Sequence, residues 1–111
     1  MSNKAETAAF HLQLLSKVIN TDKYPFTKLI IDKGLTEQEY NKLMNRISYL
    51  NCQYLKQSEE GLLDFTSLLL HFVGMLTEKL EPNKTIIALK KEGYYPSLMD
   101  EFLKIIDHIK D

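Results

Sequence analysis

Residues 62–76, LLDFTSLLLHFVGML, constrain this chain more than any other stretch, because as a helix they leave almost no wet side. Ten of the fifteen are apolar. At about 100° per residue, Phe65, Leu69, Phe72 and Leu76 line one face and Leu63, Leu70 and Val73 the next, while Leu62, Leu68 and Met75 widen the arc. Only Asp64, Ser67, His71, Gly74 and Glu78 keep a narrow polar or small stripe. Such a helix must be enclosed by its own fold, by a second copy of the chain or by another protein. Phe65, Leu69, Phe72 and Leu76 are therefore expected to form an intersubunit or central seam. The run is too short for a membrane span of about 20 residues.

The same helical periodicity extends along the whole chain. Ala8, Leu12, Leu15, Val18 and Ile19 space out a first amphipathic helix over 4–20. Tyr24-Pro25 opens a second, with Phe26, Leu29, Ile30 and Ile31, that stops at Lys33-Gly34. Thr36 and Glu39 form a capping-box pattern ahead of the longest helix, 36–57. In that helix Tyr40, Leu43, Ile47, Leu50 and Tyr54 alternate in three- and four-residue steps. The segment 57–61 is the clearest polar break, and Asp64 stands where it can cap the apolar helix that follows. Glu81-Pro82 ends that helix, because a residue before proline is steered out of α geometry. A short helix over 83–91 ends at Gly93. Tyr94-Tyr95-Pro96 then leads into a last amphipathic helix carrying Leu98, Met99, Phe102, Leu103, Ile106 and Ile109. Gly34 and Gly93 each close a short helix, and apolar residues recur at matched offsets beyond them: Tyr40 with Met99, Leu43 with Phe102, Met44 with Leu103, Ile47 with Ile106. No segment shows the alternation of a strand. The expected fold is all-α, one domain over 1–111 of five or six helices, assembling as a homo-oligomer.

Charge and reactive residues narrow the function classes. Fourteen basic against fifteen acidic side chains leave a net charge of −1, and Arg46 is the only arginine. A phosphate-backbone binder needs a basic excess on some face, so nucleic acid is not the expected partner. The outline of a helix-turn-helix does exist at 29–47, with a glycine turn and a capped second helix. Glu37 and Glu39 in the first turn of its reading helix oppose phosphate, with only Lys42, Asn45 and Arg46 to compensate. DNA binding is thus the alternative reading.

Cys52 is the single cysteine, which permits neither an internal disulfide nor a thiolate cluster; its neighbours Asn51 and Gln53 are not bases, so it reads as buried or half-buried filler. His11, His71 and His108 lie on three different helices with no Glu-x-x-His or His-x-x-x-His pair. His71 shares a stripe with Asp64, but seven residues of helix put them about 10 Å apart, too far for one ion. Asp100 and Lys104 are spaced as an i,i+4 pair. The glycines at 34, 61, 74 and 93 are isolated, so no phosphate-cradling loop is present. No catalytic, cofactor-binding or metal-binding residues are expected, and the chain is not expected to be an enzyme. The first fifteen residues lack an apolar signal core, since Glu6, His11 and Gln13 interrupt them, and the expected compartment is the cytoplasm.

Six tyrosines supply rings with polar tips, the type enriched where proteins meet. Tyr94, Tyr95 and the Tyr24–Phe26 corner are the next contact candidates after the apolar seam.

The block Lys23-Tyr24-Pro25-Phe26, followed by Leu29-Ile30-Ile31-Asp32-Lys33-Gly34-Leu35, resembles a small family of Bacillus proteins, the YhaI-like family, a domain of unknown function. The likeness continues through Glu78-Lys79-Leu80, Thr85-Ile86, Ala88-Leu89, Glu92-Gly93 and the closing helix. It implies an all-helical, self-associating protein and brings no catalytic residues with it. The expected role is a protein-interaction module, either regulatory or a phage or prophage protein that engages a host factor.

Overall fold

The computed structural model describes residues 4–18 and 22–110, and these form six α-helices and no strand. They are α1 (Lys4–Val18), α2 (Pro25–Lys33), α3 (Glu37–Glu59), α4 (Thr66–Met75), α5 (Pro82–Glu92) and α6 (Pro96–Lys110). One core joins α2 to α6, with Phe26, Ile47, Leu50, Phe72, Ile86, Leu89, Leu98, Met99 and Phe102 removed from solvent. The molecule is nevertheless long, 59 × 24 × 22 Å, and α1, whose main contact is with α2, contributes no residue to that core.

Two helix–glycine–helix corners organise the core. At the end of α2, Gly34 takes a left-handed φ of 69°, and the Leu35 N–H reaches back to the Ile30 carbonyl at 3.1 Å. At the end of α5, Gly93 takes φ 94°, and the Tyr94 N–H reaches the Leu89 carbonyl at 2.9 Å. Both are the six-to-one closure that satisfies the orphan carbonyls of a helix end and that an L side chain at the left-handed position strains. Leu35 and Tyr94, the residues just past each glycine, pack against the core. The two glycines thus close their helices in the same way, but the pairs differ beyond them: α5 packs closely on α6, whereas α2 packs mainly on α5 rather than on α3. Thr36 and Glu39 complete the capping box on α3: the Glu39 N–H donates to Thr36 Oγ1 at 3.1 Å and the Thr36 N–H to Glu39 Oε1 at 2.9 Å.

The first helices of the two corners, α2 and α5, pack on one another antiparallel, and segment 79–92 caps α2 at both ends. Glu92 takes the Thr27 N–H at 2.8 Å and the Thr27 hydroxyl at 2.6 Å, placing a carboxylate at the positive end of α2. Lys79 donates to the Gly34 carbonyl at 3.2 Å and pairs with Glu39 at 2.7 Å, placing a cation at the negative end. The Phe26 ring, in the first turn of α2, lies 5.7 Å from the Tyr94 ring and 6.3 Å from Tyr40.

The apolar run differs most from the sequence expectation. Its helix spans only Thr66–Met75, and residues 62–65 are a connection. The Leu62 N–H is committed to the Gln57 carbonyl at 2.9 Å, closing α3, and Asp64 Oδ1 accepts from the Thr66 N–H and hydroxyl to start α4. Leu76 has an extended ψ of 135° and ends the helix, well before Pro82. Within it Leu68, Leu69 and Phe72 are buried, but Leu70 is 66 % exposed and Leu63, in the connection, 90 %. The chain thus encloses one side of this segment and leaves the other open.

The α1 expectation is corrected in the same way. The residues are helical, yet Ala8, Leu12, Leu15 and Val18 are all exposed; Ile19 lies outside the described residues. Asp100 pairs with Lys90 across the α5–α6 corner at 2.5 Å rather than with Lys104, which reaches Glu101 at 3.7 Å. Cys52 is exposed, not buried filler.

Truncating Phe26 to alanine removes a ring that joins α2, α3 and the α5–α6 corner and should cost about 3–5 kcal/mol in chemical denaturation. Gly34→Ala places a Cβ at positive φ with no steric neighbour around it, so its loss should be confined to backbone strain, about 1 kcal/mol.

Candidate interaction surface

The residues named from sequence divide into enclosed and open groups. Phe65, Leu69 and Phe72 are buried in the chain's own core, with Leu76 half-buried beside them. Phe72 meets Phe102 of α6 at 5.6 Å between ring centres, and Phe65 meets Tyr54 of α3 edge-on at 4.9 Å. The seam they form with Leu43, Ile47 and Leu50 is the α3–α4 contact inside one chain. Phe26 is also fully buried, and Tyr94 and Tyr95 are half-buried against the core, whereas the Tyr24 ring is exposed. Burial and the neighbouring Tyr40 hydroxyl hold the Tyr94 phenol above its ordinary value. Tyr95 is the one non-glycine residue at positive φ among those described (49°), at the point where the chain turns into α6. Its carbonyl accepts the first helical bond, from the Met99 N–H at 3.0 Å.

The residues that do face outward were hidden in sequence by their buried neighbours. On and before α4 these are Leu62, Leu63, Leu70 and Val73, with Tyr49 of α3 close by, its ring 6.2 Å from that of His71. On α1 they are Phe10, Leu12, Leu14, Leu15 and Val18, the last 77 % exposed. Each set recurs along one stretch of chain rather than standing singly.

A polar pin, rather than apolar packing, anchors α1. Ser16 is its one buried residue; the hydroxyl donates to Asp32 Oδ1 at 2.6 Å and accepts from Lys28 Nζ at 2.9 Å. Lys28 and Asp32 close the triangle at 2.6 Å. Hydrogen bonds from Lys28 and then Ser16 hold the Asp32 carboxyl below the ordinary carboxylate range.

A third face, on α3, is polar. Gln38, Asn41, Lys42, Asn45, Arg46 and Tyr49 line one open groove. Lys42 and Arg46 also border a cleft of about 220 Å³ with Glu39, Leu43, Met75 and Thr77. Glu39, at that rim, is already held by Lys79 and the Thr36 cap, which lower its pKa. His11, His71 and His108 are all exposed, and among the described residues no three His, Cys, Asp or Glu side chains converge as a metal site would require. No helix among them is long and apolar enough to cross a membrane.

One family model, described as a protein of unknown function (DUF1878), matches residues 1–107. The chain belongs to the DUF1878 family. The match spans α1 as well as the α2–α6 core, so the outlying helix is part of the DUF1878 domain rather than an appendage to it.

The pin makes α1 of this DUF1878 protein acid-sensitive. The folded pKa of Asp32 lies below its unfolded value, so its contribution is complete above the unfolded pKa, near 4, and is lost as pH falls through the folded one. Hydrogen exchange should therefore show α1 amides losing protection below about pH 4 before those of α5. Asp32→Asn should remove most of that acid dependence.

Proposed function

We propose that this protein is a non-enzymatic helical interaction module of the cytoplasm, which self-associates and binds a protein partner through apolar surface. One observation carries the reading. Its accessible surface is 7691 Å², whereas a folded monomer of 12.9 kDa exposes about 6,300 Å². The excess, about 1,400 Å², is comparable in size to one partner's share of an obligate interface. Much of what is over-exposed is apolar, on α1 and on the outer side of residues 62–73. The outward neighbours of the seam, Leu62, Leu63, Leu70 and Val73, with the exposed Tyr24 ring, are then contact residues for the protein partner, supported from beneath by Phe65, Leu69 and Phe72, and the apolar face of α1 is left for self-association. A YhaI-like kinship within the family, and a role as a regulator or as a phage or prophage protein engaging a host factor, are consistent with a protein that works by presenting surface. Light scattering at micromolar concentration should give a mass well above 12.9 kDa; a soluble species at the monomer mass would contradict self-association.

The open face of α3 favours a second reading. Gln38, Asn41 and Asn45 alternate with Lys42 and Arg46, amides and cations of the types that reach base edges and phosphates, on the second helix of the 29–47 corner. Neither Lys42 nor Arg46 has a carboxylate partner among the described residues. On this reading Arg46→Ala weakens binding to duplex DNA in a low-salt mobility assay, and unchanged mobility of the wild-type complex mixture removes it.

A further inference from the structure

We propose that the Phe10–Leu14–Val18 face of α1 is a homodimer interface, occupied by α1 of a second copy running antiparallel about a two-fold axis. The inference rests on the interaction reading above and names the element and the occupant.

A helix of 15 residues gains little stability from its own hydrogen bonds and depends on burying a face. This one buries a serine. At about 100° per residue, Ser16 and its docked side lie nearly opposite the stripe of Phe10, Thr7, Leu14 and Val18. That stripe advances in three- and four-residue steps, the spacing of a helix-pairing seam. Phe10 is 55 % exposed and Leu14 43 %, so their chain leaves about half of each uncovered. Part of the surface excess of about 1,400 Å² lies on this helix, and a stripe matched to itself fits a two-fold contact, in which the same patch serves both copies.

Charge sets the direction. Glu6 and Lys17 are eleven residues apart, which brings them to within about 20° of each other around the helix, on the same edge of the stripe. Antiparallel pairing lays like edge against like edge. Glu6 of each copy then meets Lys17 of the other, twice per dimer, while Phe10 of each lies opposite Leu14 of the other. The helix dipoles also oppose in this arrangement.

The test measures mass and dissociation constant by sedimentation on the full chain. Leu14→Glu with Val18→Glu should raise the dimer dissociation constant by about a hundred-fold or more, the cost of burying unpaired carboxylates. Both positions are open within one chain, so the helical signal of the α2–α6 core stays cooperative. Leu70→Glu, on the other apolar face, should leave the mass unchanged. Glu6→Lys should weaken the dimer about two- to ten-fold, and adding Lys17→Glu should restore it. A wild-type dimer that the α1 pair leaves intact overturns this assignment while the interaction reading stands on another face. Indifference to both charge changes overturns the antiparallel arrangement. A monomeric wild type overturns both proposals.

Discussion

The structure depends on how α2 is held. It is nine residues long, too short to persist alone, and it carries Phe26 into the middle of the core. Glu92 secures its first turn and Lys79 its last, both from the segment that forms or leads into α5. With α2 fixed, the Phe26 ring positions Tyr40 on α3 and Tyr94 at the α5–α6 corner, and the two helix–glycine–helix units lock together. The outer side of α2 then offers Lys28 and Asp32 to Ser16, the pin that attaches α1. Core and outlying helix are thus joined through one short element.

Function follows from what this scheme leaves uncovered. Five helices satisfy one another around a single core, and no buried side-chain polar atom among the described residues lacks a partner. The sixth is attached by a hydrogen-bonded triangle and keeps its apolar side open. That contrast between a satisfied interior and an open apolar exterior is what the proposed interaction reading rests on.

Much of this was legible in the residues. Pro25, Gly34, Thr36 with Glu39, and Gly93 mark helix ends by chemistry that acts within a few positions, and each stands where the local rules put it. The limits of α4 were not legible, because an apolar run obscures the phase of its own helix. Gly61 and Leu62 were already spent closing α3, which pushed the start of α4 to Thr66. The α2 caps were beyond reach for another reason: Thr27 and Glu92 are 65 residues apart, and only packing brings them together. Whether Phe65, Leu69, Phe72 and Leu76 form a central or an intersubunit seam was open for the same cause as the limits of α4, and the structure encloses them in the chain's own core. Periodicity shows that Leu69 and Leu70 lie on different faces but not which of the two faces the core.

Native-state hydrogen exchange, read at two protein concentrations, tests most directly the claim that α1 is completed from outside its own chain. Protection of α1 amides should rise with concentration by more than that of α5 amides, because α1 gains cover against its own local opening while α5 gains only against global unfolding. Equal protection of α1 at a concentration where the chain sediments as a monomer would contradict the account.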